Sequence, residues 1–149
     1  TWSYIMKSLI ALSTAFISVV AISSANAANI TVEMLNKRDD GAKMVYSEDI
    51  TRIDVGDTIT WVPTSKGHNV EFIAVPDGFD KPKKSKPSKK VEISFNEPGI
   101  YYYLCTPHKS MGMIGLIVVG GDTSNIEDIA GAKAVGKSKK KLAALLKEL

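Results

Sequence analysis

The chain has 149 residues, 44% of them hydrophobic and 23% charged, with 19 basic and 16 acidic groups giving a net charge of +3. That total is ordinary, but the cysteine count is not: Cys105 stands alone, which excludes an internal disulfide. Only two histidines are present, His68 and His108, so imidazole chemistry must use those positions.

The first stretch reads as a targeting segment. Met6-Lys7 starts it, an apolar run follows from Leu9 to Ile22, and Ala25-Asn26-Ala27 supplies a small-x-small cleavage pattern. The run is interrupted by Ser13, Thr14 and Ser18 and is short for a membrane span. Residues 1–27 are therefore expected to be a signal peptide, with translation starting at Met6 and residues 28–149 forming one domain. The mature protein would be exported, and a lone exported thiol is a liability unless a metal occupies it.

Short apolar or alternating segments follow, each bounded by turn residues. They are Ile30–Leu35, Met44–Tyr46, Ile50–Val55, Thr58–Val62, Val70–Ile73, Val91–Phe95, Ile100–Leu104 and Ile114–Val119. Gly56-Asp57, Pro76-Asp77-Gly78 and Glu97-Pro98-Gly99 punctuate them. Such regular short strands predict an all-β sandwich with Greek-key connections. Between the fifth and sixth, six lysines crowd into Lys81–Lys90, spaced by Pro82 and Pro87. After Gly120-Gly121 the period changes, and residues 123–149 form a helical tail. Ser124-x-x-Glu127 is a possible capping box. Leu142, Leu145, Leu146 and Leu149 share one helical face, expected to pack on the sandwich.

The loop joining the last two strands carries the chemistry. It reads Cys105-Thr106-Pro107-His108-Lys109-Ser110-Met111-Gly112-Met113, and His68 lies 37 residues upstream of Cys105. One thiolate, two imidazoles and one thioether, Met113, form the donor set of a copper electron-transfer site. Soft sulfur favours Cu(I), while imidazole serves both oxidation states. Zinc is the nearest rival, but structural zinc prefers more thiolates and leaves Met113 unexplained. Loops on a rigid sheet scaffold are where binding residues concentrate, so the site is expected at one pole of the sandwich.

These residues resemble the cupredoxins, and within them the pseudoazurins. The likeness covers nearly all of residues 29–149. It is carried by Met34-Leu35-Asn36-Lys37, by Val55-Gly56-Asp57-Thr58, by Lys66-Gly67-His68-Asn69-Val70-Glu71, and by Cys105–His108 through Met111–Gly115. The resemblance implies an eight-stranded Greek-key sandwich with two short C-terminal α-helices and one type 1 copper. It implies His68, Cys105, His108 and Met113 as ligands, Met113 axial; the family's spacing selects it over Met111. It also implies that the Asn69 backbone N–H is aimed at the Cys105 sulfur, with Pro107 removing a donor nearby, and that Met44 lies beside the exposed histidine.

The function expected is that of a periplasmic one-electron carrier, not an enzyme. No Ser/His/Asp set, no carboxylate pair near a histidine and no phosphate-binding glycine loop occurs, and four protein ligands leave no open position for substrate. The alternative is copper storage or delivery, which calls for an exchangeable site rich in Met or paired Cys. The expected partners are redox proteins, a copper nitrite reductase or a cytochrome, docked near His108 and steered by lysines. The Lys81–Lys90 run lacks interleaved aromatics, which argues against nucleic acid. A monomer without stable membrane association after signal cleavage completes the expectation.

Overall fold

The computed structural model describes residues 26–149. The targeting segment expected at the N-terminus lies outside them, apart from its last two residues. Eight strands form two four-stranded sheets: β1 (Asn29–Lys37), β2 (Lys43–Tyr46), β3 (Ile50–Ile53), β4 (Thr58–Val62), β5 (Glu71–Ala74), β6 (Val91–Ser94), β7 (Gly99–Leu104) and β8 (Ile114–Val119). One sheet runs β2-β1-β4-β6 and the other β3-β8-β7-β5. Both are mixed, because β1 pairs parallel with β4 and β3 parallel with β8 while the remaining pairings are antiparallel. This is the Greek-key sandwich expected from the strand pattern.

The alternating strands present one face to the core. In β1, Val32 and Met34 are fully buried and their neighbours are not. They join Tyr46, Trp61, Phe72, Phe95, Tyr101 and Tyr103 between the sheets. Aromatic rings fill much of this space edge to face, such as Tyr46 on Tyr103 at 4.8 Å and Trp61 on Tyr103 at 5.3 Å between centroids.

Strands β7 and β8 break the alternation, since every residue in both is buried. Their outer face is covered by the tail. Ile100, Tyr102, Leu104, Ile114, Leu116 and Val118 pack with Ile129 of α1 (Ile126–Ala130) and with Leu142 and Leu145 of α2 (Lys137–Leu146). A strand covered on both faces must be apolar throughout, which is why Ile114–Val119 reads as a continuous run.

Two local expectations are corrected. The capping box does not form: Ser124 donates its N–H to Asp122 Oδ1 at 2.8 Å, and α1 has no side-chain cap. Asn125 instead faces the sheet, accepting from Ile100 N–H and donating to Ile100 O, both at 2.8 Å. The strand expected over Ile50–Val55 ends at Ile53, because the Asp54–Asp57 turn is organised by the Asp57 carboxylate. That carboxylate accepts from Asp54 N–H at 2.9 Å and Ala28 N–H at 2.8 Å, leaving Val55 52% exposed at the tip.

Candidate metal centre

Two chain segments meet at one pole. The first is the link between β4 and β5, where His68 is fully buried. Its backbone is stitched to the lysine-dense segment. Ser88 N–H donates to His68 O and Ser85 N–H to Val70 O, both at 2.9 Å. In return, Gly67 N–H and Val70 N–H donate to the hydroxyls of Ser88 and Ser85, both at 2.8 Å.

The second segment is the β7–β8 connection. Cys105 follows β7 directly, and Thr106–Met111 coils into a tight 3-10 turn opened by Pro107. His108 N–H donates to Cys105 O at 3.1 Å, Met113 N–H to His108 O at 3.3 Å, and Cys105 N–H to Met113 O at 2.9 Å. Closing this turn needs Gly112, whose φ of 94° is left-handed. The loop's own backbone bonds thus bring His108 and Met113 back to Cys105. Helix α2 braces it from outside: buried Ser138 donates its hydroxyl to Lys109 O, and at Gly136, with φ of 56°, a Cβ would strike the Ser110 carbonyl.

Side chains then lock the two segments together. Asn69 donates to Thr106 Oγ1 at 2.9 Å and accepts from Thr106 N–H at 2.8 Å. Thr106 Oγ1 in turn donates to Glu71 Oε2 at 2.6 Å. The donor atoms of His68, Cys105 and His108 are therefore held by the protein itself.

These three donors converge. His68 Nδ1 and His108 Nδ1 are 3.1 Å apart, and Cys105 Sγ lies 3.7 Å from the first and 3.4 Å from the second. Donors about 2.0–2.3 Å from one first-row ion take spacings of this order. His68 Nε2 lies 2.7 Å from Asn36 Oδ1. An amide oxygen can only accept, so Nε2 carries the proton and Nδ1 turns its lone pair toward the other donors. Burial, with His108 adding to it, lowers the His68 pKa, which keeps the ring neutral as a ligand must be. Burial pushes the Cys105 thiol up, and the backbone N–H groups of Asn69 and His108 oppose that by favouring thiolate. Two imidazole nitrogens and one shielded sulfur suit a soft metal ion better than a hard one.

Met113 is fully buried in the cluster that contains Cys105, whereas Met111 is 47% exposed. His108 is partly exposed beside exposed Lys109. Met44 packs against the inter-sheet core with a left-handed φ of 51°. Sequence reasoning missed Asn36 as the partner of His68, and also the Asn69–Thr106–Glu71 chain. The polar partners are brought together from far along the chain, 32 residues in the case of Asn36 and His68, and no local pattern marks them.

Comparison with known proteins places this pole in context. Residues 32–120 match the family of copper binding proteins, plastocyanin/azurin family. A putative pseudoazurin of Rhizobium leguminosarum bv. viciae is 43% identical over 133 residues, covering 88% of this chain and 86% of the relative. The pseudoazurin of Paracoccus pantotrophus is 40% identical over 125 residues, covering 83% and 85%. Among solved structures, a pseudoazurin from Sinorhizobium superposes with a TM-score of 0.77 at 39% identity, covering 81% of this chain and 95% of that one. The pseudoazurin of Methylobacterium extorquens AM1 gives 0.74 at 35% identity, covering 80% and 98%. The chain belongs to the plastocyanin/azurin family of copper binding proteins, the cupredoxins, and within it to the pseudoazurins: a blue copper electron carrier with one type 1 copper, not an enzyme.

Proposed function

We propose that His68, Cys105, His108 and Met113 hold the copper, with Met113 axial, and that the protein shuttles single electrons between larger redox proteins in the periplasm. Residues 1–27 are its signal peptide, and the mature chain, 28–149, works as a monomer. The observation that carries this reading is the convergence of His68 Nδ1, His108 Nδ1 and Cys105 Sγ within 3.7 Å of one another. When bound, the copper supplies a one-electron couple. The protein's part is to keep the donors still: Asn36 fixes the His68 ring, the Asn69–Thr106–Glu71 chain ties its segment to the Cys105 loop, and α2 braces that loop. A donor set that hardly moves between oxidation states lowers the reorganisation that electron transfer must overcome. The same rigidity disfavours storage or delivery, which needs donors that exchange.

Electrons enter and leave at His108, the less buried imidazole, beside exposed Met111 and Lys109. Lys109 steers an acidic partner, a copper nitrite reductase or a cytochrome, because complementary fields act mainly on encounter. The ligand assignment is tested by colour. The oxidised copper-loaded protein is expected to absorb intensely in the visible through the thiolate, and Cys105→Ser to abolish that band even with copper bound. A colourless wild type would overturn it. Stopped-flow mixing with a copper nitrite reductase and a c-type cytochrome tests the carrier role, and transfer to neither would remove the proposed partners.

A further inference from the structure

The segment from Asp80 to Lys90, between β5 and β6, has a composition that electron transfer does not require. Lys81, Lys83, Lys84, Lys86, Lys89 and Lys90 are all exposed, and no acidic residue lies among them; Asp80 and Glu92 only bracket the run. Among the described residues, the ion pairs join Arg38, Lys141, Asp40 and Asp49, so none neutralises these six. Among the described residues, their one side-chain hydrogen bond is Lys81 Nζ donating to Ile73 O at 3.4 Å. Apart from two prolines the segment carries no apolar side chain.

We propose that this segment is a docking surface for an anionic phospholipid bilayer, holding the metal pole reversibly against the membrane. Composition favours lipid over a folded acidic partner. Protein interfaces are depleted in lysine at their centres and rely on aromatics, Met and Arg for anchoring. A strip of long, unpaired lysines with nothing apolar among them instead matches a fluid layer of mobile negative charge. Clusters of four to eight basic side chains, known from segments beside membrane helices or on amphipathic helices, bind such anionic surfaces. Without an acyl chain or an apolar anchor the attachment stays reversible.

The structure adds presentation. The hydroxyls and backbone of Ser85 and Ser88 bond to Gly67, His68 and Val70, so the strip is fixed to the backbone that carries His68. The lysines are thus displayed on a preformed strap, and little ordering is required on contact. Whatever they bind lies beside the metal pole. The consequence is a search for membrane-bound redox partners in two dimensions instead of three.

Co-sedimentation of the copper-loaded mature protein with vesicles tests this. Binding is expected to phosphatidylcholine vesicles containing about 30% phosphatidylglycerol at low salt, and not to pure phosphatidylcholine. It should vanish at about 0.5 M salt, where screening lengths fall to a few ångströms. The triple variant Lys84→Gln, Lys86→Gln, Lys89→Gln should partition at least tenfold less, with its visible absorption unchanged. Failure to bind anionic vesicles, or equal binding by the triple variant, overturns the proposal. So does retention by immobilised poly-glutamate without vesicle binding, which assigns the strip to an acidic protein.

Discussion

Asn36 shows how one amide sets the chemistry of a ring it never shares a sequence pattern with. By accepting from His68 Nε2 at 2.7 Å it fixes both tautomer and orientation. Asn36→Ala is expected to weaken copper binding by about 10–100-fold, the usual cost of removing a bond to a ligating histidine. Competition titration against a chelator would measure it, and an unchanged affinity would mean that packing alone orients the ring. Met113→Gln should keep a coloured site but lower the reduction potential, because an oxygen donor stabilises Cu(II) more than a thioether does. Voltammetry of the two proteins is the check; equal potentials would place the axial donor elsewhere.

Among the elements, β7 and β8 are the most constrained. Tyr103 of β7 reaches over Gly115 of β8, where a Cβ would stand 2.5 Å from the phenol ring carbon and oxygen. Gly115→Ala is therefore expected to destabilise the fold by about 1–3 kcal/mol through overpacking, read as a lower urea midpoint. These two strands also show what was legible in advance. Strand positions followed from apolar alternation, and the tail's covering role from the i, i+3, i+4 spacing of its leucines. The capping box at Ser124 failed because Asn125 is recruited by the Ile100 backbone, a tertiary bond that no local pattern contains. The three converging donors were legible because His and Cys are scarce. The bonds that hold them, from Asn36, Thr106, Ser85, Ser88 and Ser138, were not, since such residues are common and serve mostly as turn or surface groups.

At the scale of the molecule, Asp49 ties distant parts together, paired with Arg38 at 3.2 Å and with Lys141 of α2 at 2.8 Å. Burial alone would raise its pKa, but the bonds from Arg38 and Lys141 outweigh burial and hold the carboxyl below the usual range. A depressed folded-state value means the contribution is complete above the unfolded pKa and disappears as pH falls through the folded one. Asp49 is partly exposed, so its loss counts for only about 1 kcal/mol after screening. Asp49→Asn should lower the neutral-pH Tm by about 4 °C and flatten the fall in Tm on acidification; parallel acid limbs in the two proteins would contradict this. The charge distribution also governs encounter. With a Debye length of about 8 Å at physiological salt, Lys109 at the port counts more than remote lysines. Lys109→Glu should slow transfer to an acidic partner with little change in the spectrum, and added salt should slow the wild type. Rates indifferent to both would mean that docking there is apolar.

The tail that covers β7 and β8 has a consequence for the order of assembly. Their outer face is sealed by Ile129, Leu142 and Leu145, residues that leave the ribosome after Cys105 and Met113. The sheet is thus synthesised well before the helices that cover its outer face. Until the last two dozen residues arrive, a nascent chain carries an uncovered apolar sheet surface. Premature termination downstream of Gly121 would make that interval permanent, leaving an apolar sheet face open to association between chains.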